Sequence, residues 1–438
     1  MEKILIISYR FPPADETGTQ RTWALAKYLK EFGYYPIFVT RNWGHPLKSL
    51  EDLYVPVGER IEHEIHENYE LHTLPYKNIL KLRINKNFKN KHSYIRKAFN
   101  LLDYILMYFG IFQLNEFRSF IEQASKIVSA DPSIKKALVI TDPYPLFYTG
   151  FYLNKKFGVK WIADYRDDWN TREVSDTYNF KPTRLHKLVQ WITSKMEKKW
   201  VKTASVVTSV SDEYTNRISR FVSVPGVTIY NGFFEEDYNV TTSERITNTP
   251  PTEFTIVHNG SLYPQQNIEI FLNGFKRTAD EYKNIIHLNL KFIGVTYKPG
   301  SKERIAELLR GYEPYYTCTD RIPKEELFKE IDKSQIALLI SFGKNFKGLT
   351  TSKIFDYVAM QKPVLCCPSD GDVVEEILTE TGLGFFCDNE DEVYAQLSSK
   401  IEEYIKNGKI MIPEGLTNIT KYSRRNQTKK VAALMADL

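Results

Sequence analysis

Cysteine is scarce in this chain. The four cysteines among 438 residues, Cys318, Cys366, Cys367 and Cys387, have no spacing that suits a metal, and three lie in apolar segments with strand character. Reduced, buried thiols without chemistry are the expectation. A GxGxxG sequence is absent after the first apolar run, where a nicotinamide-dependent dehydrogenase would carry it, so that class is disfavoured. Of the eight histidines, only His258 closes a candidate strand. The opening MEKILIISYR has neither the basic start nor the cleavage site of a signal peptide, and a cytoplasmic chain is expected. Strong charge of one sign is missing too. A net +5 with an isoelectric point near 8.6 is too mild to imply nucleic-acid binding.

What the chain has is apolar material in short, regularly spaced runs. At 42% hydrophobic residues and a length beyond what one core serves, two domains are expected. KILIIS (3–8), the helically spaced TWALAKYLKEFG and PIFVT (36–40) form a βαβ unit. Further runs at 137–141, 160–164, 204–210 and 226–230 are separated by stretches long enough for crossover helices, which argues for a parallel sheet covered on both faces. The segment VTTSERITNTPPTE (240–253) has no periodicity and carries breaker residues, so the linker is placed at 241–253. Alternation then resumes, with runs at 254–258, 290–294, 336–341, 363–367 and 382–387. The expected class is α/β, with two Rossmann-like doubly wound domains at 1–240 and 254–414 facing a central cleft. A helix-prone tail at 415–438 is able to return to the first domain.

Residues 76–97, YKNILKLRINKNFKNKHSYIRK, hold eight Lys or Arg and no acid, and AFNLLDYILMYFGIF follows. The apolar part is too short to span a bilayer and is interrupted by Asp103. The segment 76–113 reads either as a surface for an anionic membrane or as a solvated loop before a core helix.

Ligands of doubly wound sheets gather at the C-terminal ends of the strands. There GTQR (18–21) opens a helix, Gly18 permitting close approach, and ADYRDDW (163–169) ends a strand in a charged cluster that either serves a ligand or closes an internal salt bridge. YNG (230–232) and HNG (258–260) end strands in Asn-Gly turns. KGLTTSKIFDYVAMQKPVL (347–365) reads as a helix started by Thr350, Thr351 and Ser352, with Lys353 at its head and Asp356 one turn in. Such a start could cap itself and face a phosphate, with Asp356 toward a ribose, or be an ordinary amphipathic helix.

Taken in order, the PP-loop-G element after strand one, the acid-rich turn, SVVTSVSDEY, IYNGF, HNGSLY, DRIPKEEL and GLTTSKIFDYVAMQKPVL resemble the family-4 glycosyltransferases of the GT-B fold. The last element is similar to that family's donor-site helix, LxxLEAMAxGKPV. The likeness covers nearly the whole chain, and a subfamily of bacterial surface-polysaccharide assembly fits it best. It implies retaining transfer of a sugar from a nucleoside-diphosphate donor, held by the second domain, to a glycan or lipid-linked acceptor on the first. No metal and no cofactor beyond the donor is implied. By this likeness Asp356 stands at the ribose-binding glutamate, Gly260 at the phosphate glycine, and Gly18 near the diphosphate and acceptor. Asn231, Ser261, Gln266, Thr351 and Ser352 line the donor, Arg21 and Asp164 the acceptor, and Arg166, Asp167 and Lys353 stand at the reacting groups.

The pattern also departs from the family. Its two diphosphate cations fall on Ser261 and Gln266, its first paired glutamate on Gly348 and its N-domain histidine on Arg166, so Lys353, Arg166 and Arg21 are the candidates for restoring positive charge. A nucleotide-sugar epimerase of the same fold and an inactive nucleotide-binding partner of a glycosylation complex are the alternatives.

Overall fold

The run KILIIS is buried from Ile4 to Ser8, with Ile4 through Ile7 entirely inaccessible, as a strand covered on both faces requires. Its side chains alternate between two cores. Leu5 and Ile7 join Val39, Val139 and Trp161 on one face of a sheet, while Ile4 and Ile6 join Phe38, Leu138 and Ile162 on the other.

The computed structural model describes residues 1–14, 17–46, 55–77, 80, 84, 93–171, 183–238, 252–297, 299–412 and 418–438. They fall into two units, residues 1–231 with 424–438, and residues 232–423. In unit 1 the described strands are β1 (Glu2–Ser8), β2 (Tyr34–Arg41), β3 (Glu62–Ile65), β4 (Glu70–Leu74), β5 (Lys136–Thr141), β6 (Lys160–Tyr165), β7 (Val206–Ser209) and β8 (Gly226–Thr228). They form one sheet in the order β3-β4-β2-β1-β5-β6-β7-β8, parallel except for the antiparallel pair β3–β4. Unit 2 has a six-stranded parallel sheet, β11-β10-β9-β12-β13-β14. Its strands are β9 (Glu253–Asn259), β10 (His287–Ile293), β11 (Tyr316–Thr319), β12 (Ile336–Leu339), β13 (Val364–Cys366) and β14 (Gly384–Phe386). Two Rossmann-like parallel sheets were the expectation, and both are present.

Two strands carried no sequence signal. EHEI (β3), exposed throughout, is the edge strand with one neighbour missing, and ELHTL (β4), next to it, mixes charge with apolar residues.

The chain crosses between the units at 231–232 and at 423–424, where the sequence placed boundaries at 240 and 415. Gly232–Tyr238 belongs to unit 2, where Tyr238 packs on Phe328 with ring centroids 4.8 Å apart and Asp237 pairs with Lys324. Residues 239–251, which include most of the expected linker, lie outside the described residues. The helix Arg424–Ala436 belongs to unit 1, burying Val431, Ala432 and Met435 beside Leu25 and Leu29. At the base of unit 2 its two ends meet: Phe233 donates its N–H to Tyr422 O at 3.2 Å, and Phe233 and Ser423 form a parallel bridge.

The helix Ser93–Tyr108 serves both readings of its segment. It buries Met107 in the core and Asp103 against Asn115, whose Nδ2 donates to the carboxylate at 3.0 Å, yet leaves Tyr94, Leu102 and Ile105 exposed. Most of the basic run before it, including Lys81, Arg83, Lys86, Lys89 and Lys91, lies outside the described residues. No described helix is long and apolar enough to cross a membrane. The cysteines are free thiols, three buried and Cys318 half-buried, as expected.

Candidate functional site

In unit 2, β9 runs out in His258, Asn259 and Gly260. Gly260 has φ +91°, a conformation that glycine adopts without strain, and a Cβ there would lie 3.4 Å from Lys353 Nζ. Its N–H donates to Ile293 O at 2.8 Å, and the preceding Asn259 is held by the Tyr357 hydroxyl. The turn is thus fixed from the helix Lys353–Ala359, which carries both Lys353 and Tyr357.

Lys353 stands in an unusual environment. Burial pushes its pKa down to about 8, opposed by the charge of Asp356, and its amine forms no ion pair with a described carboxylate. Its polar neighbour is His258 Nε2, 3.4 Å away. His258 has no exposure, and its Nδ1 lies 3.0 Å from Leu338 O. A carbonyl only accepts, so Nδ1 carries the proton and Nε2 offers its lone pair to the amine. Burial first, and then the Lys353 charge, holds His258 well below its usual range and keeps it neutral. The result is a desolvated cation over the glycine turn, in the position where a phosphate oxygen would restore its lost solvation.

Asp356 sits on the same helix, half-buried, and accepts a hydrogen bond from the Tyr238 hydroxyl. Nothing in the sequence marks Tyr238, which lies in a polar 3-10 turn, Glu235–Tyr238.

Several expected roles take another form. The hydroxyl run does not cap the helix: Ser352 has helical φ −63° and ψ −27° and makes no side-chain capping bond, so the N–H groups are not arranged around its oxygen. Thr351 Oγ1 is buried without a hydrogen-bond partner among the described residues. Gln266, 2% exposed, is taken up internally, donating from Nε2 to Ile340 O at 2.5 Å and accepting the Tyr263 N–H at 2.8 Å. It ties the loop after β9 to the end of β12. Ser261 is half-buried beside Gly260, and the Gly348 N–H is bound by the Asp372 carboxylate.

In unit 1, a recess at the ends of β1, β5 and β6 is lined by Arg10, Gly18, Asp142, Arg166 and Asn231, among others. A Cβ on Gly18 would come 2.8 Å from Arg166 Nη1 and 2.9 Å from Arg10 Cδ, so only glycine lets both arginines close over this helix start. Arg10 lies 3.3 Å from the half-exposed Asp142, and burial and the nearby Arg166 charge both lower its pKa. Arg166 makes no ion pair with a described residue. Asn231, expected with the donor residues of unit 2, stands here instead, 3.5 Å from Arg424.

The charged cluster of ADYRDDW resolves by pairing. Asp164 binds Arg21 through two 2.7 Å bonds and accepts the Thr208 hydroxyl at 2.6 Å, while Arg21 also donates to Ile229 O at 2.8 Å. Both are buried and form an internal pair, and Arg21 also lines the recess with Arg10, Gly18 and Arg166. Asp168 takes Arg217 at 3.3 Å. Arg166 and Asp167 remain half-buried. The arginine that sequence reasoning missed is Arg10; its signal was its position directly after a buried parallel strand.

The chain is similar over its whole length to several solved structures. A sucrose-phosphate synthase from Thermosynechococcus elongatus matches with a TM-score of 0.62 at 15% identity, covering 100% of this chain and 99% of that one. The α,α-trehalose 6-phosphate synthase from Burkholderia multivorans gives 0.62 at 12%, with 100% and 99% covered. A glycosyltransferase from Rickettsia africae gives 0.59 at 12%, again over 100% and 99%. The chain has the GT-B fold. At these identities the likeness concerns architecture, not substrate. No family model and no curated protein matches the sequence.

Proposed function

We propose that this GT-B protein is a retaining glycosyltransferase that holds a nucleoside-diphosphate sugar in unit 2 and works without a metal. The observation that carries the reading is the desolvated Lys353 amine over Gly260, oriented by neutral His258, with Asp356 one turn along the same helix. Departure of a nucleoside diphosphate builds negative charge, which fixed cations stabilise more in the transition state than in the ground state. Lys353 supplies such a cation in place of those missing at Ser261 and Gln266. Asp356, positioned by Tyr238, takes the ribose hydroxyls. The Arg10–Gly18–Arg166 recess of unit 1 takes an anionic group of the acceptor, and Asp167 stands beside it. A glycan or lipid-linked acceptor in bacterial polysaccharide assembly fits a family-4 likeness.

The acceptor side also fits a bilayer surface. Leu102, Ile105 and Phe109 are exposed, as is Trp191 on the helix Arg184–Val201, and Lys97, Lys187, Lys195 and Lys198 are exposed on the same two helices. Apolar side chains among cations suit a peripheral site on an anionic cytoplasmic leaflet. Sedimentation with phosphatidylglycerol vesicles at low and high salt tests it, and salt-insensitive or absent binding by the protein removes it.

The central test is a thermal-shift panel of UDP, GDP, dTDP and CMP, followed by incubation with the matching nucleotide sugars. A ligand at 100 times its Kd stabilises by about 2.7 kcal/mol. Transfer or slow hydrolysis supports the enzyme, a 2-epimer supports the epimerase alternative, and binding without turnover supports the inactive partner. No stabilisation by any nucleotide ends the proposal.

A further inference from the structure

The edge strand β3 has no buried side chain to hold it. All four residues of EHEI are exposed, Ile65 to 75%, so β3 is joined to the sheet by its backbone ladder with β4 and by cross-strand side-chain pairs. On one face of that ladder lie three groups of metal-binding type. His63 and His72 are directly opposite in register, and Glu70, two residues before His72, projects to the same side. His63 Nε2 and His72 Nε2 lie 2.8 and 2.9 Å from the same oxygen, Glu70 Oε1, and the two rings are stacked 4.3 Å apart at 5°.

We propose that His63, Glu70 and His72 form a binding site for a zinc-type divalent cation. Two imidazoles and a carboxylate are a donor set for a borderline metal, and the ligand atoms all lie within 4.8 Å of one another. An ion bound at about 2.0–2.1 Å sets tetrahedral ligands roughly 3.3 Å apart, so the two His–Glu contacts open by about half an ångström while the imidazole nitrogens turn toward a common ion. Stiff strands make that an exchange of hydrogen bonds for metal bonds without backbone movement.

A second observation points the same way. Gln123, buried on the helix Phe117–Ala130, reaches His72 Nδ1 at 3.2 Å. With Nε2 protonated toward Glu70, Nδ1 accepts from the amide. When a cation takes Nε2, the proton moves to Nδ1 and the amide rotates to accept it, which is the outer support typical of ligating histidines. His63 is half-exposed, Glu70 less so and His72 nearly buried, so the fourth position opens to solvent. The ion clips the edge strand to its neighbour, and the site is separate in function from sugar transfer, which the recess at β1 serves.

The test uses the full chain stripped with EDTA. Zinc is titrated against a chromophoric chelator, and cobalt(II) is used as a spectroscopic probe. One saturable site per chain is expected, with the visible bands of a low-coordinate cobalt site and a rise in melting temperature on zinc addition. His63→Ala, at an exposed position whose loss leaves the buried core intact, loses the site, and Gln123→Ala weakens it by roughly 10- to 100-fold. Zinc binding of equal strength in the parent and in His63→Ala, or no saturable binding by the parent, overturns the proposal.

Discussion

Replacing Lys353 by methionine is expected to stabilise the protein at pH 7 while weakening nucleotide binding. At about 1.4 kcal/mol per tenfold change in proton affinity, lowering this amine from 10.5 to about 8 corresponds to roughly 3 kcal/mol of unfavourable desolvation. The residue is only half-buried, and the substitution strips His258 Nε2 of its partner, which returns about 1 kcal/mol. A net gain of about 1–2 kcal/mol remains. The sign follows from linkage: the folded pKa lies below the unfolded one, so the unfolded chain binds more protons between about pH 8 and 10.5 and the parent gains stability as pH rises through that window. Methionine does not titrate, so the advantage of the variant shrinks and closes above about pH 10. Lys362, also lowered to about 8, is present in both proteins and cancels. All six tryptophans lie in unit 1, so urea unfolding of unit 2 is followed by amide exchange at Ile354–Val358 instead of fluorescence. The same amine makes a second readout. Calorimetry of nucleotide binding at pH 8 in buffers of different ionisation enthalpy shows uptake of about half a proton by the parent and none by Lys353→Met. A variant that is less stable than the parent at pH 7, by an amount independent of pH, refutes the idea of a desolvated cation.

Three further outcomes are expected. Asp356→Asn binds the preferred nucleoside diphosphate about tenfold or more weakly by calorimetry with its fold intact, and Tyr238→Phe shows a smaller loss of the same kind; parental affinity in Asp356→Asn returns this residue to a surface helix acid. Arg10→Ala and Arg166→Ala each lower turnover by roughly 10- to 100-fold, with the donor KM changed much less, and unchanged kinetics in both remove the recess from the reaction. Glu197, fully buried with Tyr165 and Asn170 as donors, has its pKa raised to about 7 by burial, so the parent loses up to about 3 kcal/mol relative to Glu197→Gln as pH rises from about 4.5 to 7, and a flat difference across that range contradicts it.

Most of the sheet architecture was legible because a parallel strand covered on both faces must be apolar along most of its length, as runs 3–8, 254–258 and 336–341 are. β3 and β4 were not, since an edge pair is under no such demand. The glycines of the site were legible from their place after strands. Partnerships were not. Arg21 and Asp164 stand 143 residues apart, and nothing local distinguishes a guanidinium destined for a buried carboxylate from one facing a ligand. Gln266 appeared as a lost cation, although its amide is fixed by a carbonyl 74 residues away. Arg10 was hidden by the proline-rich loop beside it, and Tyr238 by the polar sequence in which it lies.

The bridge between Phe233 and Ser423 bears on how the chain assembles. Unit 1 is discontinuous: its sheet is finished by residue 231, but the helix that seals Leu25 and Leu29 is translated only after all of unit 2. Joining that helix across an unstructured loop of nearly two hundred residues would cost on the order of 5 kcal/mol in chain entropy. Folding of unit 2 first brings both ends of the loop together, so the helix needs to search only a short tether's reach. Assembly is therefore expected to run from the inserted unit outward, and destabilising unit 2 should slow the docking of residues 424–438 without touching a single contact in unit 1.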